Sequence, residues 1–240
     1  VHGGRQVALD CAPEPVAPSP VPIKSKGITP REMTLREIDE TIEAFAAAAR
    51  RAREAGFDGV QLHCAHGYLL SQFLSPHTNR REDEWGGTPE RRRRFVLETL
   101  RAVRQALGPD LAVTIKLNGE DFVQDGLSLA ESCEAARALA AEGIDAIEVS
   151  GYAQDGDPRQ APSRKGDFTP AEEGYYLTQA VQIKKASGSV PVGVTGGFRS
   201  YDVITRVLQA DGLDFVGLSR PFIAEPDLVR RFRAGQFHGT

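Results

Sequence analysis

Two spacings of apolar residues alternate along the chain, and together they predict a repeating unit of strand followed by helix. Short apolar runs have the length of strands, whereas the stretches between them carry apolar residues at helical spacing. Thr34 with Glu37 and Ser128 with Glu131 have the spacing of capping boxes that begin two of these helices. The predicted strands cover residues 59–63, 111–117, 145–149, 192–195 and 214–218.

The composition of these strands indicates the fold class. They are largely apolar, which favours a parallel sheet covered by helices. A doubly wound sheet would fit this pattern, but no G-x-G-x-x-G follows a strand, and polar residues collect at the carboxyl ends of the strands. We therefore predict an α/β fold of the (β/α)₈ TIM-barrel type, forming a single domain over residues 1–240.

The number of strands predicts an incomplete barrel. Eight strands close such a barrel, whereas the pattern yields five, and the chain begins without Met inside what reads as the end of a strand. We expect a barrel that lacks roughly its first two to three strands. Residues 214–218 would then form an unpaired apolar edge, which favours aggregation.

Three connecting segments carry their own predictions. Residues 12–30 contain six prolines, which exclude helix and central strand, so we predict a long surface loop. Residues 152–168 are rich in Gly, Pro, Asp and basic residues and exceed the usual connection, so we expect them either to overhang a pocket or to be a plain insertion. Thr169 and Pro170, followed by Glu172, predict the start of a helix.

Composition and charge exclude several classes of protein. With 40% hydrophobic and 26% charged residues, the chain has an ordinary globular composition, and its formal net charge is −4. The arginine run at 91–94 begins a helix with an apolar face, so we expect no nucleic-acid partner. Cys11, Cys64 and Cys133 are widely spaced without a CxxC, which argues against a disulfide framework or metal cluster and favours a reducing cytoplasm. Without an 18-residue apolar run, we expect no membrane partner.

Residues 56–76 include three side chains that can donate or accept a proton, at the point where a predicted strand ends and a helix begins. These are His63, His66 and Tyr68. A metal site is one interpretation, but only Cys64 lies nearby, and a strand would point it the other way. A second interpretation is that these polar side chains are simply hydrogen-bonded inside the junction. In the third, two imidazoles hold an anionic or carbonyl oxygen, and a phenol supplies a proton.

Lys116 ends another predicted strand and has more than one interpretation. A Schiff-base lysine needs a pKa lowered by a dry pocket or a second cation, whereas Glu120 and Asp121 lie close to Lys116 in the sequence. The alternative without a catalytic role is a lysine whose ammonium group lies at the protein surface.

Small residues and one arginine follow the last two predicted strands. Gly196 and Gly197 follow the first of these strands, and Ser219 and Arg220 follow the second. A glycine pair by itself usually only turns the chain. Together, the two loops have the position of the usual phosphate site of a TIM barrel.

One run of sequence resembles a known family. The run HCAHGYLLSQFLSPHTNRREDEWGGTPERRRRF resembles the flavin-dependent Old Yellow Enzyme family of NADH:flavin oxidoreductases, whose pattern reads H-x-x-[HN]-G-Y-L-x-x-[QE]-F-L-x-P and then N-x-R-x-D-x-[YW]-G-G-[ST]-x-E-N-R-x-R-F. Arg91 replaces the family's Asn. His2, Gly4 and Arg5 match the H-x-G-R at the end of the family's third barrel strand, and the resemblance assigns the five strands as four to eight. The second pattern is matched by Asn79, Arg81, Asp83, Gly86, Gly87, Glu90, Arg92, Arg94 and Phe95.

The resemblance implies a cofactor, a reaction and a set of site residues. FMN would be the cofactor, NADH or NADPH the reductant, and the C=C bond of a small enone-type substrate the group reduced. His63 and His66 would orient the substrate oxygen, Tyr68 would protonate the α-carbon, and Lys116 would lie beside the N1/O2 edge of the flavin. The phosphate of FMN would be held by Gly196, Gly197, Ser219 and Arg220.

Two alternatives to this function remain open. One is a flavin-free TIM-barrel aldolase or isomerase of phosphorylated substrates that uses Lys116 or His63. The other is a non-catalytic barrel fragment, and we expect the isolated chain to bind FMN weakly and to show little activity. The physiological substrate, the choice between NADH and NADPH, and assembly into a homo-oligomer are left open.

Overall fold

Five parallel strands joined by helices form the centre of the structure, a computed structural model that describes residues 3–7, 14–23, 27–164 and 169–237. The strands are β1 (Val16–Ala17), β2 (Arg31–Glu32), β3 (Gly59–Cys64), β4 (Ala112–Asn118), β5 (Ala146–Ser150), β6 (Val192–Thr195) and β7 (Phe215–Gly217). The central sheet has the order β3-β4-β5-β6-β7, with every pair parallel. Each of its strands lies within one or two residues of the predicted bounds.

Helices connect these strands and cover one face of the sheet. They are α1 (Leu35–Glu54), α2 (Leu69–Leu74), α3 (Pro89–Leu107), α4 (Leu129–Ala141), α5 (Leu177–Ala186), α6 (Tyr201–Gln209), α7 (Arg220–Ala224) and α8 (Leu228–Arg233). Both predicted capping boxes are present. Thr34 Oγ1 accepts from Glu37 N at 3.2 Å, and the Glu37 carboxylate accepts from Thr34 N at 2.8 Å. Ser128 and Glu131 make the same pair of bonds at the start of α4.

The two faces of the sheet differ in polarity, which corrects the expectation of largely apolar strands. Val113, Ile115 and Leu117 of β4 are fully buried among helix side chains. The alternate residues carry polar groups on the opposite face, because successive side chains of a strand point to opposite sides. In register, His63 pairs with Lys116 and Lys116 with Glu148. The polar face therefore lies opposite the face that the helices cover.

Within the described residues 14–23 and 27–30, much of the proline-rich segment is buried, whereas a surface loop was predicted. β1 pairs with β2 in parallel, and side chains from elsewhere satisfy the segment's carbonyl groups. Arg81 Nη1 donates to Pro18 O and Arg5 Nη1 to Pro22 O, both at 3.1 Å. Arginine donors thus replace the hydrogen bonds that proline prevents a helix or sheet from making. The buried side chains of the segment include Ala17, Ser19, Val21 and Ile23.

The predicted helix start at Thr169 is also wrong. Thr169 N and Oγ1 both donate to the Glu172 carboxylate at 2.8 Å, but the turn ends at Gly174, whose φ is +70°, and α5 begins three residues later. In the same turn, the carboxylate of Glu173 accepts a hydrogen bond from the hydroxyl of Ser200 at 2.6 Å. Ser200 therefore makes no side-chain cap for α6, which it precedes.

Within the described part of the chain, β3 and β7 form the two edges of the sheet. The expected remnant of a third barrel strand is not a strand, because Gly4–Gln6 forms a short 3₁₀ helix. His2, the first residue of the matched H-x-G-R, lies outside the described residues, as does Cys11. The α/β architecture with a parallel sheet is as predicted.

Candidate functional site

His63, His66 and Tyr68 form one cluster, as the sequence predicts. His63 lies near the carboxyl end of β3, and the other two residues lie in the turn between β3 and α2. The ring of His63 has its centroid 5.2 Å from that of His66 and 5.1 Å from that of Tyr68. Cys64 is fully buried on the opposite face, as strand alternation requires. Two imidazoles and a phenol therefore meet at one strand end.

His66 is held by three elements that are distant in sequence. Its backbone has φ +60°, a conformation that costs a non-glycine residue about 1–3 kcal/mol when it is fixed. Its N–H donates to Asn118 Oδ1 at 3.0 Å, and its carbonyl accepts from Gln6 Nε2 at 2.8 Å. Its Nε2 lies 2.7 Å from Ser150 Oγ. These contacts fix both the backbone and the ring.

Asn118 is itself oriented by buried neighbours. Its Nδ2 donates to Asp121 Oδ1 at 2.8 Å and to Tyr152 O at 2.9 Å. Asp121 also accepts from Leu127 N at 2.9 Å, and burial raises the pKa of its carboxyl group. Sequence reasoning missed Asn118, although it follows Lys116 by two residues and therefore lies on the same face of β4.

The N-terminal turn is fixed against the cluster by polar contacts. Gln6 Nε2 also donates to Gly67 O at 2.5 Å, and Gln72 Nε2 donates to the same carbonyl at 2.6 Å. Arg5 is fully buried, and its Nη2 lies 2.7 Å from Asp155 Oδ2, in the segment that follows β5. His77 Nε2 lies 3.2 Å from the same oxygen. The turn thus joins the histidine cluster to the segment that follows β5.

Lys116 lies one strand away from His63 and forms an ion pair. The two residues are register partners, and Lys116 Nζ contacts Glu148 Oε1. Gln61 Nε2 donates to the other carboxylate oxygen of Glu148 at 3.1 Å. The sequence drew attention to Glu120 and Asp121 as the acidic neighbours of Lys116, but its carboxylate partner is Glu148, 32 positions further along the chain.

The two predicted phosphate loops lie side by side, because β6 pairs with β7. Tyr175 packs over the first loop: a Cβ atom on Gly196 or Gly197 would lie 3.0 or 2.7 Å from its ring. In the second loop, Arg220 Nη1 donates to Arg164 O at 2.8 Å. The Arg164 guanidinium lies 3.9 Å from the centroid of the Tyr175 ring. Glycine is therefore required at both positions, because a side chain would collide with the ring of Tyr175.

Positive charge is concentrated around these loops. Burial raises the pKa of the Tyr175 phenol, while Arg164, Arg220 and Arg199 oppose this rise. Arg164 Nε is buried without a hydrogen-bond partner among the described residues. A cavity of about 650 Å³ is lined by Arg199, Ser200 and Arg220, together with the carboxylates of Asp202 and Glu225. These donors suit a phosphate group, because guanidinium groups form strong charge-assisted bonds to it.

Two tyrosines fix the segment that follows β5. Tyr176, fully buried, donates to Gln160 O at 2.5 Å, and Tyr175 donates to Pro162 O at 2.6 Å. Both tyrosines directly precede α5, which begins at Leu177. Residues 165–168 of this segment lie outside the described part of the chain.

Among the described residues, no group of three or more His, Cys, Asp or Glu side chains could hold a metal ion. Among the helices of that part of the chain, none is long and apolar enough to cross a membrane.

Comparison with known proteins identifies relatives of the whole chain. Residues 1–237 match the model of the NADH:flavin oxidoreductase / NADH oxidase family. The chain is 38% identical to the NADH oxidase of Thermoanaerobacter brockii over 98% of its own length and 36% of the relative's. It is 36% identical to the NADPH dehydrogenase of Geobacillus sp. (strain WCH70) over 94% of its own length and 62% of the relative's. The chain thus spans between about one third and two thirds of these relatives.

Solved structures agree with these matches. A 2-naphthoyl-CoA reductase is 33% identical with a TM-score of 0.82, over 93% of this chain and 33% of that one. The 6-hydroxypseudooxynicotine amine oxidase of Pseudomonas geniculata N1 is 30% identical with a TM-score of 0.85, over 98% of this chain and 35% of that one. Morphinone reductase is 28% identical with a TM-score of 0.77, over 100% of this chain and 65% of that one. These likenesses confirm the predicted TIM-barrel fold.

Proposed function

Because the chain belongs to the NADH:flavin oxidoreductase / NADH oxidase family, we propose that it reduces the C=C bond of α,β-unsaturated carbonyl compounds with FMN as cofactor and NADH or NADPH as electron source. The observation that carries this proposal is the cluster of His63, His66 and Tyr68, one strand away from Lys116. It combines two potential donors to a carbonyl oxygen with a proton donor and a cation.

The residues around the phosphate loops fit FMN. Arg220, with Arg164 nearby, would neutralise the phosphate group, and the loop at Gly196 and Gly197 would contribute backbone N–H donors. Lys116 would approach the N1/O2 edge of the ring, where a cation stabilises the negative charge of the reduced flavin. When bound, the flavin supplies the hydride that is delivered to the β-carbon of the substrate.

His63 and His66 would bind the carbonyl oxygen of the substrate. Negative charge develops on this oxygen when the β-carbon accepts hydride, so an N–H donor aimed at it stabilises the transition state more than the ground state. The contacts with Asn118 and Gln6 hold the backbone of His66, and the contact with Ser150 holds its ring, before the substrate arrives. Such preorganisation avoids a reorganisation cost during the reaction.

Tyr68 would donate the proton to the α-carbon. A phenol O–H is a donor at neutral pH, and the ring of Tyr68 lies beside that of His63, so one ligand can meet both. The backbone carbonyl of Tyr68 accepts from Gln72 N at 2.8 Å, which fixes the residue at the start of α2. Tyr68 is therefore the proposed acid of the second half-reaction.

The names of the relatives guide the choice of substrates for a test. Morphinone reductase and 2-naphthoyl-CoA reductase are named as reductases, which supports reduction by this chain, whereas the amine oxidase is named for amines. A flavin-free aldolase or isomerase has no support from a family of flavin enzymes. An enone and an amine should therefore be compared directly.

The test is a two-step anaerobic experiment on the purified chain supplied with FMN. We expect a flavin absorption band that NADH or NADPH bleaches and that 2-cyclohexenone restores, with the saturated ketone as product. Reoxidation by the enone must exceed that of the same amount of free reduced FMN. A flavin that is reduced by an amine but not reoxidised by the enone would overturn the assignment, and absence of FMN binding would favour the non-catalytic fragment.

Cellular location and substrate size complete the proposal. Cys64 and Cys133 are free thiols, which fits a reducing cytoplasm. The proposed partner is a small-molecule enone-type substrate.

A further inference from the structure

We propose that Glu148 is a positioning residue that offsets the charge of Lys116 and thereby makes the bound flavin harder to reduce. This inference rests on the proposed function, because it requires Lys116 to lie beside the flavin. The resemblance that places Lys116 beside the flavin assigns no role to Glu148. The ion pair between these two residues is the observation that carries the inference.

The sheet register places Glu148 beside Lys116 and next to the histidine cluster. His63, Lys116 and Glu148 are consecutive register partners across β3, β4 and β5. Their side chains consequently point to the same face of the sheet. The side chains of Lys116 and Glu148 are only 20% and 14% exposed, so solvent screens their charges less than it screens those of a surface pair.

Residues of the neighbouring strands define the position of the carboxylate. Glu148 pairs in register with Gly193, where the ring of Phe215 fills the space that a side chain would occupy. A Cβ atom on Gly217, at the end of β7, would lie 2.7 Å from Glu148 Oε1. Gln61 Nε2 donates to the second carboxylate oxygen at 3.1 Å. The carboxylate is therefore fixed from two sides and directed toward the end of the sheet that carries the phosphate loops.

The sign of the effect follows from the charges. Reduced flavin carries more negative charge than oxidised flavin, so a nearby cation favours reduction and a nearby anion opposes it. Glu148 contacts Lys116 and so partly cancels its field at the flavin. Removing the carboxylate while keeping Lys116 should therefore raise the midpoint potential of the flavin, and removing the ammonium group should lower it.

The test measures the midpoint potential of bound FMN by equilibration with a reference dye. For Glu148→Gln, which preserves the shape of the side chain, we expect about a tenfold shift of the two-electron equilibrium toward reduced flavin, equivalent to about +30 mV. Glu148→Ala should shift it in the same direction, and Glu148→Asp should stay near the wild type. Lys116→Met should shift the equilibrium the opposite way, and Lys116→Met with Glu148→Gln should bring it back toward the wild type.

A matched control separates a local effect from a change in net charge. Glu134→Gln removes a carboxylate from an exposed ion pair on α4 and should leave the potential unchanged. An unchanged or lowered potential in both Glu148→Gln and Glu148→Ala, or an equal shift in Glu134→Gln, would overturn the inference. Failure of the wild-type protein to bind FMN or reduce the enone would instead count against the proposed function.

Discussion

The side-chain oxygen of Asn118 accepts a hydrogen bond from the backbone N–H of His66 at 3.0 Å, joining the end of β4 to the turn that carries the histidine cluster. Both residues lie where strands end, but 52 positions separate them in the sequence. The bond helps to hold His66 at φ +60°, and Asn118 is itself held by the hydrogen bond that its Nδ2 donates to Asp121 Oδ1. The position of His66 therefore depends on a residue outside its own motif.

Replacing Asn118 should test this dependence. In Asn118→Ala, the N–H of His66 loses its acceptor and Asp121 loses one of its donors, so we expect the free energy of unfolding to fall by about 1–3 kcal/mol. Turnover of the enone should fall further than FMN affinity. Urea unfolding, steady-state kinetics and FMN titration measure these three quantities. Thr114→Ala, on the same face of β4, is the control and should change turnover little; equal losses in the two variants would contradict the role of Asn118.

The double variant His63→Ala with His66→Ala tests the proposed oxyanion donors. Loss of one such donor typically costs about 3–4 kcal/mol of transition-state stabilisation, so kcat/KM for the enone should fall by at least two orders of magnitude. FMN should remain bound, as its absorption spectrum would report. His77→Ala removes a histidine outside the cluster, whose Nε2 lies 3.2 Å from Asp155 Oδ2, and should retain most of the activity. Undiminished turnover in the double variant would refute the assignment.

Tyr68→Phe separates the two half-reactions. If Tyr68 supplies only the proton to the α-carbon, the variant should reduce the enone slowly and yet accept hydride from NADH or NADPH at the wild-type rate. Stopped-flow absorbance of the flavin follows each half-reaction separately. Tyr201→Phe, on α6 and stacked on Phe237, is the matched control. Equal slowing of both half-reactions in Tyr68→Phe would argue for a structural role.

Arg220→Ala tests the proposed phosphate site. FMN carries the charge that Arg220 would neutralise, whereas riboflavin does not, so the variant should bind FMN more weakly with little change for riboflavin. Fluorescence titration with both flavins gives the two dissociation constants. Arg206→Ala, on the exposed face of α6, controls for loss of positive charge. The same loss of affinity for both flavins would place Arg220 away from the phosphate.

The pH dependence of stability should report on the start of α1. Hydrogen bonds from Arg31 and Thr34 lower the pKa of Glu37 from 4.5 to about 2. A carboxyl group whose pKa is lowered by folding stabilises the folded state fully at pH values above its pKa in the unfolded state. This contribution should therefore be lost as pH falls from about 4.5 to about 2. Glu37→Gln should therefore have a shallower acid dependence of urea unfolding than the wild type. Glu54→Gln, at the exposed end of α1, should keep the wild-type slope.

Local patterns in the sequence were sufficient to predict the order of the five strands of the central sheet and the histidine cluster. Thr34 with Glu37 and Ser128 with Glu131 form their capping boxes within four residues, so neighbouring side chains and backbone determine the outcome. His63, His66 and Tyr68 meet because one short turn joins a strand to a helix. Thr169 and Glu172 form a similar pair of bonds, but Gly174 ends that turn before a helix can begin.

Contacts between distant segments were decided only by the tertiary structure. The pairing of Lys116 with Glu148 and of His66 with Asn118 depends on the register between strands, which no local spacing reveals. Burial of the proline-rich segment likewise depends on Arg5 and Arg81, whose guanidinium groups satisfy its carbonyl oxygens from outside. A buried polar group needs a partner at the right distance and angle, and only the folded chain brings such partners together.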